Sequence, residues 1–173
     1  PLLFMDHLHQ KRIQIVRRRP EEFDADGFLS THPANVYYLC GFTGSSAALL
    51  VERGTARLFT DGRYLIQSRH EVKKARVQIV SGSLLAGVGL YLRRSRVRRL
   101  AYEPALLTMA QFGELRKSTG PRIRFTRVFG LVEELRQVKS SDEITRIRKA
   151  AQLALAALEE VLPLVQPGQR EFE

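Results

Sequence analysis

The chain has 173 residues, of which 44% are hydrophobic and 27% charged, a globular composition that excludes a disordered tail or a collagen-like repeat. Its formal net charge is +10, and arginines make up 22 of its 28 basic residues. The single cysteine, Cys40, excludes an internal disulfide, and no run of 18 apolar residues indicates a membrane span. Because no signal-peptide pattern opens the sequence, we predict a cytoplasmic protein that does not associate with membranes.

The first third of the sequence predicts two helices and three strands. Apolar residues recur at helical spacing over residues 5–19, and Pro20 ends that pattern. Pro33 at the first position and Gly41 just past the last predict a second helix over residues 33–40. The last two strands form a hairpin across a short turn that contains a glycine. The predicted strands cover residues 27–31, 47–51 and 56–60.

Helices and strands alternate after this hairpin. A chain with such an alternation forms a mixed sheet with helices on both of its faces. We therefore predict an α/β fold, a three-layer α/β/α domain over residues 1–137. The predicted elements are helices over residues 63–74, 84–94 and 108–119 and strands over residues 77–80, 97–102 and 123–128.

The final segment, residues 138–173, has a different pattern. Ser140 precedes Glu143 by three residues, which is the spacing of a capping box and predicts the start of a helix. Its apolar residues form one stripe from Ile144 to Val165. We expect the chain to be a fragment cut at both ends, and this helix to pack on a neighbouring domain beyond residue 173. Left uncovered, the stripe predicts self-association or disorder.

No metal site or catalytic nucleophile is predicted within the sequence. His7 and His9 are two residues apart on a helix, so their side chains point in different directions. Cys40 lies beside apolar residues without a basic neighbour, which favours a buried, unreactive thiol. The glycines between residues 41 and 44 follow a helix and precede a strand, the reverse of the order in phosphate-binding loops, and favour a tight turn.

The segment Asp61-Gly62-Arg63-Tyr64 is the best candidate for a binding site. Asp61 follows a predicted strand and can cap the next helix. Arg63 falls in the first turn of that helix, where a cation opposes the helix dipole, so we expect it to have a carboxylate partner. That partner is either Asp61 or a group from outside the chain.

Three clusters of basic residues could attract nucleic acid or another anionic surface. They lie near the predicted ends of helices and strands, and we found no aromatic residues interleaved with them for base stacking. Solvated faces explain them more simply, so nucleic acid is not an expected partner. The clusters cover residues 17–19, 93–99 and 116–127.

Three sequence motifs resemble the N-terminal region of the aminopeptidase P, prolidase and creatinase family. They are residues 34–45 (ANVYYLCGFTGS), residues 60–64 (TDGRY) and residues 138–144 (VKSSDEI), and they occur in the order found in that family. The last motif resembles the start of the family's catalytic domain. The resemblance extends over nearly the whole chain, from about residue 5 to residue 168.

This resemblance implies a ribonuclease H-like, non-catalytic N-terminal domain over residues 1–137, with residues 138–173 as linker and first helix of a truncated pita-bread domain. The parent enzyme would hydrolyse the bond before proline in short peptides, with two divalent ions (manganese, cobalt or zinc) bound downstream of this chain. The 173-residue chain alone would be inactive. The resemblance also implies a homodimer, a domain that restricts substrate access, and Asp61, Arg63 and Tyr64 as substrate-binding residues.

A second hypothesis keeps the same fold without the enzyme. Relatives that have lost catalysis serve as binding modules, and the arginine excess is unusual for a domain that shields a small peptide site. The alternative is therefore a stand-alone module that binds protein or nucleic acid.

Overall fold

The computed structural model describes residues 2–72, 74–165 and 167–170. The chain divides into two compact units, Pro1–Leu135 and Arg136–Glu173. The described helices are α1 (Leu2–Arg18), α2 (Pro33–Cys40), α3 (Leu65–Glu71), α4 (Leu84–Arg94), α5 (Met109–Thr119), α6 (Leu131–Gln137) and α7 (Ser141–Val161). The strands are β1 (Gly27–Ser30), β2 (Ala47–Glu52), β3 (Ala56–Asp61), β4 (Arg76–Val80), β5 (Arg99–Tyr102) and β6 (Arg124–Arg127).

The strands form one six-stranded mixed sheet in the order β4-β3-β2-β1-β5-β6. Strand β2 runs antiparallel to both of its neighbours, and the other neighbouring pairs are parallel. The hairpin pairs Ala47 with Thr60 and Val51 with Ala56. Five strands therefore end at the same edge of the sheet, where β2 begins. Loops at this carboxyl edge are the usual place for a binding site in such folds.

Helices cover both faces of the sheet, which confirms the predicted three layers. Side chains alternate along each strand, so Phe28 enters one core and Leu29 the other. The first core takes Val16 of α1, and the second takes Val88 of α4 and Leu115 of α5. Because both faces are covered, the central strands are buried on both sides, as the burial of every residue of β1 shows.

Two helical segments differ from the sequence prediction. The helix predicted over residues 63–74 begins as a 3₁₀ turn, Gly62–Tyr64, and becomes α-helical only at Leu65. Residue 73 of that prediction lies outside the described residues. Helix α6 was not predicted, because two turns are too short to show a clear helical period.

The second unit contains α7, whose capping box is confirmed. Ser140 Oγ accepts from the backbone N–H of Glu143 at 3.3 Å, and the Glu143 carboxylate accepts from the N–H of Ser140 at 2.9 Å. Ile144, Ile147 and Leu158 are 44%, 56% and 55% exposed. Among the described residues, no helix has the length and hydropathy required to cross a membrane.

Candidate functional site

Asp61 holds the guanidinium group of Arg63 through two parallel hydrogen bonds. Arg63 Nε donates to Asp61 Oδ1 and Nη2 donates to Oδ2, both at 2.9 Å. Asp61 Oδ1 also accepts from the backbone N–H of Arg63 at 3.1 Å and so caps the 3₁₀ turn, as the sequence predicted. The carboxylate partner expected for Arg63 is therefore Asp61. The Arg63 side chain is 74% exposed, against 22% for Asp61.

The pair stays ionised throughout the physiological pH range. The hydrogen bond from Arg63 holds the pKa of Asp61 well below its usual value, and the bond to Asp61 raises the pKa of Arg63. A guanidinium group has five N–H donors, and this pairing uses Nε and one hydrogen of Nη2. The edge formed by Nη1 and Nη2 keeps the donor geometry that binds a second carboxylate.

Tyr64 is tied to the loop that precedes β2. Its hydroxyl shares a 2.8 Å hydrogen bond with Ser45 Oγ and accepts from the Ser45 backbone N–H at 3.4 Å. The hydrogen bond to Ser45 lowers the pKa of Tyr64. The Tyr64 ring meets the ring of Phe42 edge to face, and the Arg63 guanidinium lies 5.5 Å from its centroid. The loop and the turn thus form one surface.

The same loop is anchored to α3 through Thr43. Glu71 accepts from the Thr43 backbone N–H at 2.8 Å and from its hydroxyl at 2.7 Å. Gln67 donates to Thr43 Oγ1 at 2.8 Å. Sequence reasoning singled out residues 34–45 and 60–64 separately and missed that they meet. The register of the β2–β3 hairpin, which pairs Ala47 with Thr60, brings them together.

Two carboxylates that share a hydrogen-bond donor lie elsewhere on this carboxyl edge, the buried Glu103 and the half-buried Glu133. Glu103, which directly follows β5, accepts from Ser30 Oγ at 2.7 Å and from Asn35 Nδ2 at 2.9 Å. Asn35 Nδ2 also donates to Glu133 Oε1 at 2.7 Å. The hydrogen bonds join β1, α2, α6 and the end of β5, which is a structural role. Sequence reasoning missed Glu103, although a carboxylate directly after a buried strand was the available signal.

The sequence also raised His7, His9 and Cys40 as candidates, and the structure places them outside the surface formed by the Asp61–Tyr64 turn and the loop before β2. His9 Nδ1 donates to the carbonyl of Tyr38 at 3.1 Å, and His7 is exposed. Cys40 is 1% exposed, and burial raises the pKa of its thiol to about 12. Within the part of the chain that the structure describes, no group of three or more His, Cys, Asp or Glu residues could hold a metal ion.

A family model described as the creatinase/prolidase N-terminal domain matches residues 12–138. The uncharacterized peptidase YqhT of Bacillus subtilis (strain 168) is 29% identical over 161 residues, which are 93% of this chain and 45% of that protein. The chain therefore spans less than half the length of this curated relative.

Two solved structures show which part of such proteins this chain matches. The Xaa-Pro dipeptidase from Bacillus anthracis superposes with a TM-score of 0.88 at 27% identity, over 95% of this chain and 46% of that chain. The N-terminal domain of the cytoplasmic peptidase PepQ from Mycobacterium tuberculosis H37Rv gives 0.68 at 28% identity, over 72% of this chain and 98% of that chain. Nearly all of that isolated domain is therefore matched.

Proposed function

Since the chain belongs to the creatinase/prolidase N-terminal domain family, we propose that it is the non-catalytic N-terminal part of a metal-dependent Xaa-Pro peptidase. The observation that carries the proposal is coverage: the family match spans residues 12–138, and the chain aligns with only 46% of a whole Xaa-Pro dipeptidase. The complete protein hydrolyses the peptide bond before proline in short peptides.

The metal centre of this enzyme belongs to another part of the protein. The described residues contain no cluster of donors that fits a metal ion, so no catalytic step is assigned to them. We place two divalent ions, manganese, cobalt or zinc, in the catalytic domain. Residues 138–173 are the linker and first helix of that domain, a role supported by the capped start of α7 and its exposed apolar side chains.

Arg63 contributes to substrate binding at the entrance to the active site of this enzyme. Asp61 fixes the guanidinium group and Tyr64 supports the turn, so a peptide carboxylate meets a donor edge whose orientation is already set. The domain thereby limits entry to the active site, so that only short peptides reach it. It also contributes to a homodimer, and the enzyme acts in the cytoplasm, as the name of the PepQ relative supports.

The first test is an assay of the complete protein encoded by the source gene. It should release the residue before proline from Xaa-Pro peptides when divalent metal is present and lose this activity with a chelator. The 173-residue chain alone should be inactive with or without metal. A complete protein that folds but leaves Xaa-Pro bonds intact at every metal tested would contradict the proposal.

The role of Arg63 is tested by Arg63→Ala in the complete enzyme. We expect a KM raised about tenfold or more, because a charge-assisted bond to the substrate carboxylate is lost. Arg69→Ala is the matched control, since Arg69 is an exposed arginine of α3, and it should leave KM unchanged. Equal KM values for Arg63→Ala and the unmodified enzyme would refute the assignment, and thermal unfolding would identify a folding defect.

A further inference from the structure

A pocket of about 610 Å³ lies beside the outermost strand β6, away from the Asp61–Tyr64 turn. Three aromatic rings line it. Tyr102 and Phe112 are stacked with centroids 4.8 Å apart and an interplanar angle of 15°, and Phe125 meets both rings edge to face. Phe112 and Phe125 are only partly buried. Because Tyr102 is buried and stacks on Phe112, the aromatic surface that a planar ligand can contact is that of Phe112 and Phe125.

Three arginines line the same pocket: Arg116 of α5 and Arg124 and Arg127 of β6. All three are exposed, and no salt bridge to a carboxylate is formed by any of them among the residues that the structure describes. In contrast, Arg63 and Arg99 are paired with aspartates. Three unpaired guanidinium groups around an aromatic lining favour an anion, and their planar forks match phosphate oxygens.

The arrangement corrects one part of the sequence interpretation of this basic cluster: its arginines are exposed, but aromatic residues do accompany them. The arginines of residues 116–127 were interpreted as a solvated face without aromatic partners. In the fold, Phe112 and Phe125, which flank the cluster or lie within it, point into the pocket that the arginines line, together with Tyr102 from β5. Proteins that bind nucleotides combine cations, which contact the phosphate, with aromatic rings, which stack on the base.

We propose that this pocket binds a free nucleotide, with the base against the aromatic rings and the phosphate against the arginines. The volume lies within the range of small-molecule sites and suits one nucleotide. The three cations line one pocket, whereas a site for a nucleic acid backbone is an extended basic groove. The site is independent of the peptidase assignment, because none of its lining residues belongs to the Asp61–Tyr64 turn.

The test is titration of the 173-residue chain with AMP, followed by calorimetry and by amide chemical-shift changes. Saturable 1:1 binding with shifts confined to α5, β5 and β6 is expected. The double variant Arg124→Ser/Arg127→Ser should weaken binding tenfold or more, because hydrogen bonds to a charged group are lost. Arg122→Ser is the matched control: Arg122 is exposed and does not line the pocket, so its removal should change affinity less than twofold.

The base contribution is tested separately with Phe112→Leu, which retains apolar volume and removes the ring. This variant should weaken AMP binding and leave binding of inorganic phosphate unchanged, with thermal unfolding as the check on folding. Phosphate that binds as tightly as AMP would overturn the nucleotide assignment. Equal losses in Arg122→Ser and in the double variant, or binding of a single-stranded oligonucleotide without binding of AMP, would also overturn it.

Discussion

Ser30 donates a 2.7 Å hydrogen bond to Oε2 of Glu103, and both side chains are buried, with 0% and 5% of their surfaces exposed. Ser30 ends β1 and Glu103 follows the neighbouring strand β5. A buried carboxylate must be satisfied by donors, because its desolvation is costly. The bond therefore links the ends of two parallel strands at the carboxyl edge of the sheet.

Removing this hydroxyl should destabilise the domain. In Ser30→Ala the buried Glu103 loses a donor, and we expect the free energy of unfolding to fall by about 2 kcal/mol, within the range for a buried polar group that loses a hydrogen-bond partner. Urea unfolding followed by circular dichroism measures this difference. Ser81→Ala is the control, since Ser81 is exposed, and it should change stability by less than about 0.5 kcal/mol. An unchanged free energy of unfolding in Ser30→Ala would contradict a stabilising role for this hydrogen bond.

Gly44 is required for the contact between the loop and the turn. A Cβ at this position would lie 2.3 Å from Phe42 Cζ and 2.8 Å from Tyr64 Cδ1. Gly44→Ala should therefore cost about 1–3 kcal/mol and shift the Tyr64 ring signals in NMR spectra. Gly62→Ala is the control, because no atom lies within 4 Å of a Cβ at Gly62 and the φ of Gly62 is not positive. This variant should not show the loss expected for Gly44→Ala. Similar stabilities for the two variants would disprove this explanation.

Cys40 should make the domain sensitive to alkali. Burial raises the pKa of its thiol from 9.0 to about 12, so the unfolded chain loses this proton at lower pH than the folded chain does. The stability contribution is complete below pH 9 and is lost as pH rises from 9 towards 12. The difference in unfolding free energy between the unmodified chain and Cys40→Ala should therefore shrink over this interval. A difference that stays constant with pH would contradict a contribution from the raised pKa of the Cys40 thiol.

Asp61 should have the opposite dependence on pH. Its pKa is lowered from 3.8, chiefly by the hydrogen bond from Arg63, so the contribution to stability is present above about pH 4 and is lost as pH falls further. Asp61→Asn keeps an acceptor for the cap and removes the charge. The difference in melting temperature between the two proteins should be largest near neutral pH and disappear in acid. High salt should also reduce it, because the pair is exposed. A difference unaffected by acid would show that the cap alone matters.

The sequence predicted the bounds of helix α2 and the start of helix α7 well, because local signals determine them. Pro33 and Gly41 bounded α2 correctly, and the Ser140–Glu143 capping box marked the start of α7. The sequence did not reveal that α3 begins only at Leu65, because residue spacing over a single turn does not distinguish the 3₁₀ turn Gly62–Tyr64 from the first turn of an α-helix.

The candidate surface could be predicted only in pieces. Asp61 as the cap and as partner of Arg63 followed from their spacing. The contacts of Tyr64 with Phe42 and Ser45 did not, because they span about twenty residues and depend on the hairpin register. The same reason explains the pocket beside β6: periodicity does not reveal that Phe112 and Tyr102 stack across two elements.

The charges on strand β6 determine how two copies of this domain can meet. Strand β6 is an edge strand with an exposed arginine at each end, Arg124 and Arg127. Charged side chains on an edge strand disfavour pairing with a further strand, so this edge resists continuation into a larger sheet. Strand β6 therefore remains the last strand of the sheet. If two copies of this domain associate, we expect them to meet through surfaces other than the β6 edge.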